Sequence, residues 1–207
     1  MKEVFKIFVE GVADKRFIEQ LLLHIWGVTV DENCVISTGG YTNLLGKKTM
    51  SAYVNQMKMT TDDGGVNLVI FDADEDCEAR RNEILDWGVS NGVSFELFML
   101  PDDTCGGALE ELLEGAINPA NRPIMDCWNG YENALKQVEL PWRGGVPLTT
   151  PARKTRIYAY LEALLGSSKS EKEKIKEKNR DYTDKNHWDL DAPALARLKD
   201  FLTVNLS

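Results

Sequence analysis

Basic residues are the scarce class in this chain of 207 residues: 24 Lys and Arg face 33 Asp and Glu, a formal net charge of −9. That balance excludes tight, sequence-independent duplex binding, which needs many cation–phosphate contacts. A metal-mediated contact with a phosphodiester stays open, because net charge governs how a substrate arrives and not the chemistry that follows. Cysteine is sparse as well. Cys34, Cys77, Cys105 and Cys127 are scattered and form no C-x-x-C pair, which excludes a zinc knuckle and a thioredoxin-type motif. They read as reduced thiols of a cytoplasmic protein. No apolar run approaches ~18 residues, and Met1 to Ile7 lacks the apolar core of a signal peptide, so neither a membrane span nor a secretion signal is expected.

What is present is an ordinary globular composition, 43% hydrophobic and 28% charged. Short apolar, β-branched or aromatic runs predict strands at Val4–Val9, Cys34–Ser37, Asn67–Phe71 and Ser94–Leu100. Helical spacing intervenes. Phe17, Ile18, Leu21, Leu22 and Ile25 recur on one face with Asp14 as the expected N-cap, a helix is expected from Thr42 to Met57 with Gly46 as its weak point, and a charged helix carries Ile84, Leu85 and Trp87. Strands alternating with helices, each strand a nearly continuous apolar run, predict an α/β fold: a mostly parallel four-stranded sheet with helices on both faces. After Leu100 the pattern turns helical, at Ala108–Leu113, Ile124–Val138, Ile157–Leu165 and a final amphipathic stretch presenting Leu195, Leu198, Phe201 and Leu202. Pro141 to Pro151 reads as a loop. The division expected is an α/β domain over 1–115 and a helical C-terminal extension over 116–207 packed on it. Within the extension the Lys/Glu-rich stretch of about 167–187 reads as solvated and mobile.

In open α/β sheets ligands bind beyond the carboxyl ends of the strands. Glu10, Gly39-Gly40, Asp72 with Asp74, and Asp102 with Asp103 all fall there. Asp72 and Asp74 stand two apart at a strand end, a spacing that turns both carboxylates to one side of an extended chain. Two unit charges about 4 Å apart repel by ~4 kcal/mol at an effective dielectric near 20, and Glu10 would add a third. Such a cluster calls for a cation or a proton. With only carboxylate oxygens on offer and no His or Cys close in sequence, the expected ion is Mg²⁺ or Mn²⁺. The chain holds a control of the same spacing, Asp189-Leu190-Asp191, where Asp191 is expected to do no more than cap the last helix.

The segment Val9-Glu10-Gly11-Val12-Ala13-Asp14-Lys15-Arg16-Phe17, followed by Val69-Ile70-Phe71-Asp72-Ala73-Asp74, resembles the signature of the Toprim (topoisomerase–primase) superfamily. The turn Leu100-Pro101-Asp102-Asp103 leading to Gly107–Leu113 resembles small stand-alone bacterial Toprim-like proteins related to nucleases of the overcoming-lysogenization-defect type. The resemblance implies a Rossmann-like Toprim fold and phosphodiester chemistry on nucleic acid. It makes Glu10 the general acid or base, Asp72 and Asp74 the metal-binding pair, and Glu110 a further acid at a second metal position. Gly11 becomes the glycine of a tight turn, and Asp14 an acid at the helix start or a cap.

Candidate contacts to a substrate backbone are Gly39, Gly40, Arg153, Lys154 and Arg156, whereas Lys47 and Lys48 read as surface charges. Nucleases of this branch usually carry an ATPase domain. Here Gly40-Tyr41-Thr42-Asn43-Leu44-Leu45-Gly46-Lys47-Lys48 departs from the P-loop pattern, with five residues between its glycines and Lys48 where Ser/Thr belongs, so a partner ATPase or another protein partner is expected. Two other functions fit the same residues: a non-catalytic Toprim-like binding or regulatory module, for example in phage defence, and an Asp-x-Asp glycosyltransferase. A haloacid-dehalogenase-type phosphatase is disfavoured, because Asp76 stands where its Thr is required.

Overall fold

The computed structural model describes residues 1–46, 50–104 and 106–207, with the side chains of Met50 and Ser51 outside that description. Lys47, Lys48 and Cys105 therefore lie outside the described residues. Four strands, β1 (Phe5–Val9), β2 (Val35–Ser37), β3 (Val66–Asp72) and β4 (Glu96–Leu100), form an all-parallel sheet in the order β2-β1-β3-β4. Side chains alternate across it, as the two-residue period of a strand requires. Phe5, Ile7, Val9, Leu68, Ile70, Phe98 and Leu100 face one core, and Phe8, Val69, Phe71 and Met99 face the other. Both faces are covered, which is why the strands read as unbroken apolar runs.

Helices α1 (Val12–Trp26), α2 (Tyr41–Leu45), α3 (Met50–Asp62) and α4 (Cys77–Asn91) connect the strands. The single helix expected over Thr42–Met57 is two. α2 stops at Gly46, whose backbone is extended at φ −77° and ψ 139°. Leu44, Val54, Met57, Ile84 and Trp87 from α2, α3 and α4 fill the second core.

Beyond β4 come α5 (Leu109–Gly115), α6 (Arg122–Lys136), α7 (Arg153–Leu165), α8 (Lys169–Ile175) and α9 (Ala196–Leu206). Leu112, Ile157, Leu161, Leu198 and Leu202 of these helices join Phe17 and Leu21 of α1 in the first core, so residues 116–207 close one face of the sheet. Most of the stretch over 167–187 is solvent-exposed, as its Lys and Glu content predicts, but Ile175, Arg180 and Tyr182 are buried. Arg16 Nε donates to the Arg180 carbonyl at 3.0 Å, and Gln20 accepts from the Tyr182 N–H, so α1 holds this stretch by its backbone. Its Lys and Glu residues mask a few deeply buried anchors spaced too irregularly to show as an apolar stripe. Asp191 does not cap α9, which begins after Leu195 without a side-chain cap. Cys34, Cys77 and Cys127 are free thiols. Among the described residues no helix is long and apolar enough to cross a membrane.

Candidate functional site

Chain order runs from β1 outward to β2 and then returns to β3 on the other side of β1. The crevice at such a reversal, between the carboxyl ends of β1 and β3, is where an open α/β sheet binds its ligand. Glu10 and Asp72 stand on its two sides. The parallel register sets Val9 against Ile70, and the Glu10 carboxylate reaches across: Oε1 accepts from the Asp72 N–H at 3.2 Å, and Oε2 from the Tyr41 N–H at 3.2 Å. Gly40 donates its N–H to the Glu10 carbonyl at 2.9 Å, which lays the Gly39-Gly40 turn against the same strand end. Glu10, Gly39, Gly40 and Asp72 are thus gathered, as the topology predicts.

Asp14 belongs to the same group in a role the sequence did not reveal. It is not the N-cap of α1; Gly11 is, and Asp14 lies three residues inside. Its Oδ2 accepts from the Gly11 N–H at 2.9 Å, whereas Oδ1 is buried and has no hydrogen-bond partner. Gly11 itself is extended at φ −129°, so a tight turn is not its reason. A Cβ there would stand 3.0 Å from Asp14 Oδ2, and glycine is what allows that close approach.

Asp72 Oδ1 accepts from the Leu109 N–H at 3.0 Å, which ties the first turn of α5 to the end of β3. Glu110, next in that turn, raises the pKa of both Asp14 and Asp72 and so sits within electrostatic range of them. Burial first, then the charges of Asp14 and Glu10, pushes the Asp72 carboxyl up to about 8. Burial likewise pushes Asp14 up to about 7. Glu10 is raised by burial too, against the lowering effect of its two backbone hydrogen bonds. Desolvation disfavours each anion, and each anion disfavours the next.

Asp74 departs from the expectation that it faces the same point as Asp72. The extended conformation ends at Asp72, and Asp74 adopts a left-handed backbone at φ 52°, with its N–H donated to the Gly107 carbonyl at 2.9 Å. A Cβ on Gly106 would come within 2.5 Å of the Asp74 carbonyl oxygen, so the close-packed glycine turn holds this conformation. The Asp74 carboxylate pairs with Arg80 of α4, whose guanidinium stacks 3.6 Å from the Tyr41 ring centre. Asp74 still raises Glu10 and Arg80 lowers it, which leaves this ion pair beside the Glu10 side of the crevice. Arg80 gave no signal in the sequence, since a lone Arg in a charged helix looks like any surface cation. Asp76 is the N-cap of α4, accepting from the Ala79 N–H at 2.9 Å.

The basic cluster divides. Arg153 pairs with Glu111 of α5 and Lys154 with Glu177, and Glu110 acts on Lys154 electrostatically, which puts Lys154 within range of the acidic group. Arg156 does not serve a substrate: its guanidinium is committed to Glu114 at 2.6 Å, Glu132 at 2.7 Å and Asn129 at 2.8 Å, where it fastens α7 to α5 and α6.

An oxygen-rich set around an unpartnered buried carboxylate oxygen fits a hard divalent cation in its donor chemistry. Among the described residues no three His, Cys, Asp or Glu side chains converge as a ready ligand set. The carboxylates of Glu10 and Asp72 accept backbone N–H groups, and that of Asp74 pairs with Arg80.

A match of a family model to residues 4–205, which takes in the crevice and the helical layer alike, decides the chain's classification. The chain belongs to the DUF3226 family, described as a protein of unknown function. No curated protein and no solved structure matches it. The family thus covers Glu10, Asp72 and Tyr182 within one unit and assigns none of them a role.

Proposed function

We propose that this protein is a Toprim-like, Mg²⁺- or Mn²⁺-dependent enzyme of phosphodiester chemistry, cleaving nucleic acid or carrying out a related phosphoryl transfer. One observation carries this reading: Glu10, Asp14 and Asp72 lie within electrostatic range of one another at the reversal point of the sheet, Glu110 acts on both aspartates, and one buried Asp14 oxygen lacks a hydrogen-bond partner. Asp72, Asp14 and Glu110, with Asp74 once it parts from Arg80, are the residues that would hold the ion. When bound, the ion offsets the charge that develops on phosphoryl oxygens during displacement.

The chain's own contribution is proton handling and orientation. Glu10, its pKa raised by burial, accepts or delivers a proton closer to neutrality than a free glutamate does. The backbone N–H groups of Tyr41 and Asp72 fix its carboxylate in one orientation. Lys154, within electrostatic range of Glu110, offsets part of the crevice's negative charge. Its free thiols agree with a cytoplasmic protein, and a separate ATPase is the partner this reading supplies.

A second reading has its own observation. Both Glu10 oxygens accept backbone N–H groups, which is also how a structural clip is built. On that reading the chain is a non-catalytic Toprim-like binding module that retains a metal site. A divalent titration followed by a substrate panel separates the two. Mg²⁺ or Mn²⁺ is expected to raise the melting temperature of the wild type but not of Asp72→Asn, and to support cleavage of single- or double-stranded DNA or RNA. Equal shifts in the two proteins refute the site. A metal shift without turnover on any of these substrates establishes the binding module.

A further inference from the structure

α6 carries two apolar stripes, and only one of them is covered. Met125 is buried, and Trp128 and Leu135 are half-buried, on the side where Arg156 of α7 grips Glu132. The second stripe is Ile124, Cys127, Tyr131 and Ala134, three and four residues apart and so on one side of the helix. Cys127 and Ala134 are exposed, Ile124 is half-buried, and Tyr131 keeps 49% of its surface in water. At about 100° per residue this stripe spans about 80°, and the charged residues of α6, Arg122, Asp126, Glu132 and Lys136, all lie about 80° or more outside it. Beside the stripe, Ala159 and Ala163 of α7 are too small to fill the space against Cys127, Trp128 and Tyr131, and a cavity of about 350 Å³ stays open there. Apolar surface continues past the helix: Val138 is 40% exposed and Trp142 76%.

Whatever covers this stripe is selected by shape, because the stripe carries no charge. A helix that lies on a membrane lines its apolar face with Lys and Arg. Here Asp126 and Glu132 flank the stripe, in a chain of net charge −9, which anionic lipid repels. The stripe itself reads the same in both directions. Its spacings are three, four and three, centred on Asn129, which is also the midpoint of α6. An antiparallel copy related by a two-fold axis therefore sets Ile124 against Ala134 and Cys127 against Tyr131, each pair twice, with a large side chain facing a small one. The second copy's Tyr131 ring then stands over Cys127, at the mouth of the cavity. The four charged residues turn away from the seam, so two acidic chains meet through neutral surface. Area is sufficient as well. At about 200 Å² per ring, the exposed parts of Tyr131 and Trp142 come to roughly 250 Å² in each copy. Doubled, and joined by Ile124, Cys127, Ala134 and Val138, this approaches the ~1,000 Å² that a specific interface needs.

We propose that the outer face of α6 is a homodimer interface, on which a second copy of this chain packs its own α6 antiparallel about a two-fold axis at Asn129. The inference goes beyond the phosphoryl reading and does not rest on it. It gives the helical layer two faces with separate tasks: one closes the sheet, and the other joins two protomers.

The test is sedimentation velocity of the intact chain at rising concentration, with no metal or nucleic acid added. The wild type is expected to run as a monomer when dilute and as a dimer at about 100 μM. Ala134→Glu puts a charge into the seam opposite Ile124 and is expected to raise the dissociation constant about a hundredfold or more. Residue 134 is exposed in the single chain and glutamate suits a helix, so the circular dichroism and dilute melting temperature of this variant are expected to match the wild type's. Tyr131→Ala, expected to weaken the dimer about tenfold, decides should Ala134→Glu fail to fold. The register has its own readout. The two-fold axis sets the two Cys127 thiols one helical turn, about 6 Å, apart along the helix. A short bifunctional maleimide is therefore expected to join Cys127 to Cys127, a link that peptide mapping identifies and Cys127→Ser abolishes. A wild type that stays monomeric at about 100 μM, or a dimer indifferent to both seam variants, overturns the interface. A dimer that Ala134→Glu breaks but in which Cys127 is not joined overturns the antiparallel register.

Discussion

Asp72 and Asp74 at the end of β3 share their spacing with Asp189 and Asp191 ahead of α9, yet Asp72 and Asp191 lie in opposite electrostatic states. Asp72 is drawn out of water between β1, α1 and α5, and burial with neighbouring acids lifts its pKa to about 8. Asp191 stands largely in solvent, where Lys199 and His24 bond to its Oδ1 at 2.7 and 2.8 Å and lower its pKa to about 2. Asp189 Oδ1 merely accepts the Asp191 N–H at 3.0 Å to close a local turn. The dipeptide spacing is the same, so the contrast comes from what surrounds it. A carboxylate among cations in water is a stabilising ion, whereas a carboxylate among carboxylates under the surface requires a proton or a metal.

The contrast is broken most severely at the end to which we assign the chemistry. Glu10→Gln is expected to lower divalent-dependent cleavage by about a hundredfold or more, with Asp191→Asn at wild-type rate, measured on whichever nucleic acid the panel identifies. A Glu10→Gln protein as active as Asp191→Asn removes Glu10 from the proposed chemistry.

Next in size is the pH dependence of the metal-free protein. The folded Asp72 carboxyl keeps its proton up to about 8, whereas an unfolded aspartic acid releases it near 3.8. The folded state therefore binds more protons between those values, and stability falls as pH rises through that window. Asp72→Asn, whose amide oxygen still accepts from Leu109, is expected to flatten this fall and to gain about 2 kcal/mol at pH 8 without divalent ions. Denaturant unfolding at pH 5 and pH 8 checks it. A mutant as pH-sensitive as the wild type shows that other groups carry the effect.

Arg80→Met sharpens the comparison inside the first pair. Removing the cation that neutralises Asp74 is expected to tighten Mn²⁺ binding severalfold, read by titration calorimetry. Weaker binding in the mutant would assign Arg80 to the support of the site and not to competition with the ion. The smallest effect belongs to Asp191→Asn, an exposed pair expected to cost about 0.5–1 kcal/mol at neutral pH. That contribution is present above 3.8 and disappears as pH falls toward about 2. Acid unfolding curves of the two proteins should converge there.

The sheet was legible because strands covered on both faces are written as continuous apolar runs, and Val66–Asp72 is recognisable for that reason. The positions of Glu10 and Asp72 followed from topology alone, since every parallel strand delivers its carboxyl end to one edge. Asp14 was legible only as a polar residue near a helix start, a place where caps and ligands look the same. Asp74 was misjudged because the extended geometry assumed for it stops two residues earlier, under the close approach of Gly106. Arg156 looked available as part of a basic cluster and proved tied to two glutamates and an asparagine from two other helices. Sequence distance conceals such pairings.

By itself, then, the sequence determined the alternation of strands and helices, the parallel sheet and the edge to which its acids are delivered. These depend on local periodicity and on chain connectivity. Tertiary structure alone decided which acids are stripped of water, which cations are already engaged, and that the Lys/Glu-rich stretch turns Arg180 and Tyr182 inward. Desolvation and ion pairing depend on residues as distant as His24 and Asp191, 167 positions apart, being packed side by side, and no pattern along the chain encodes that proximity.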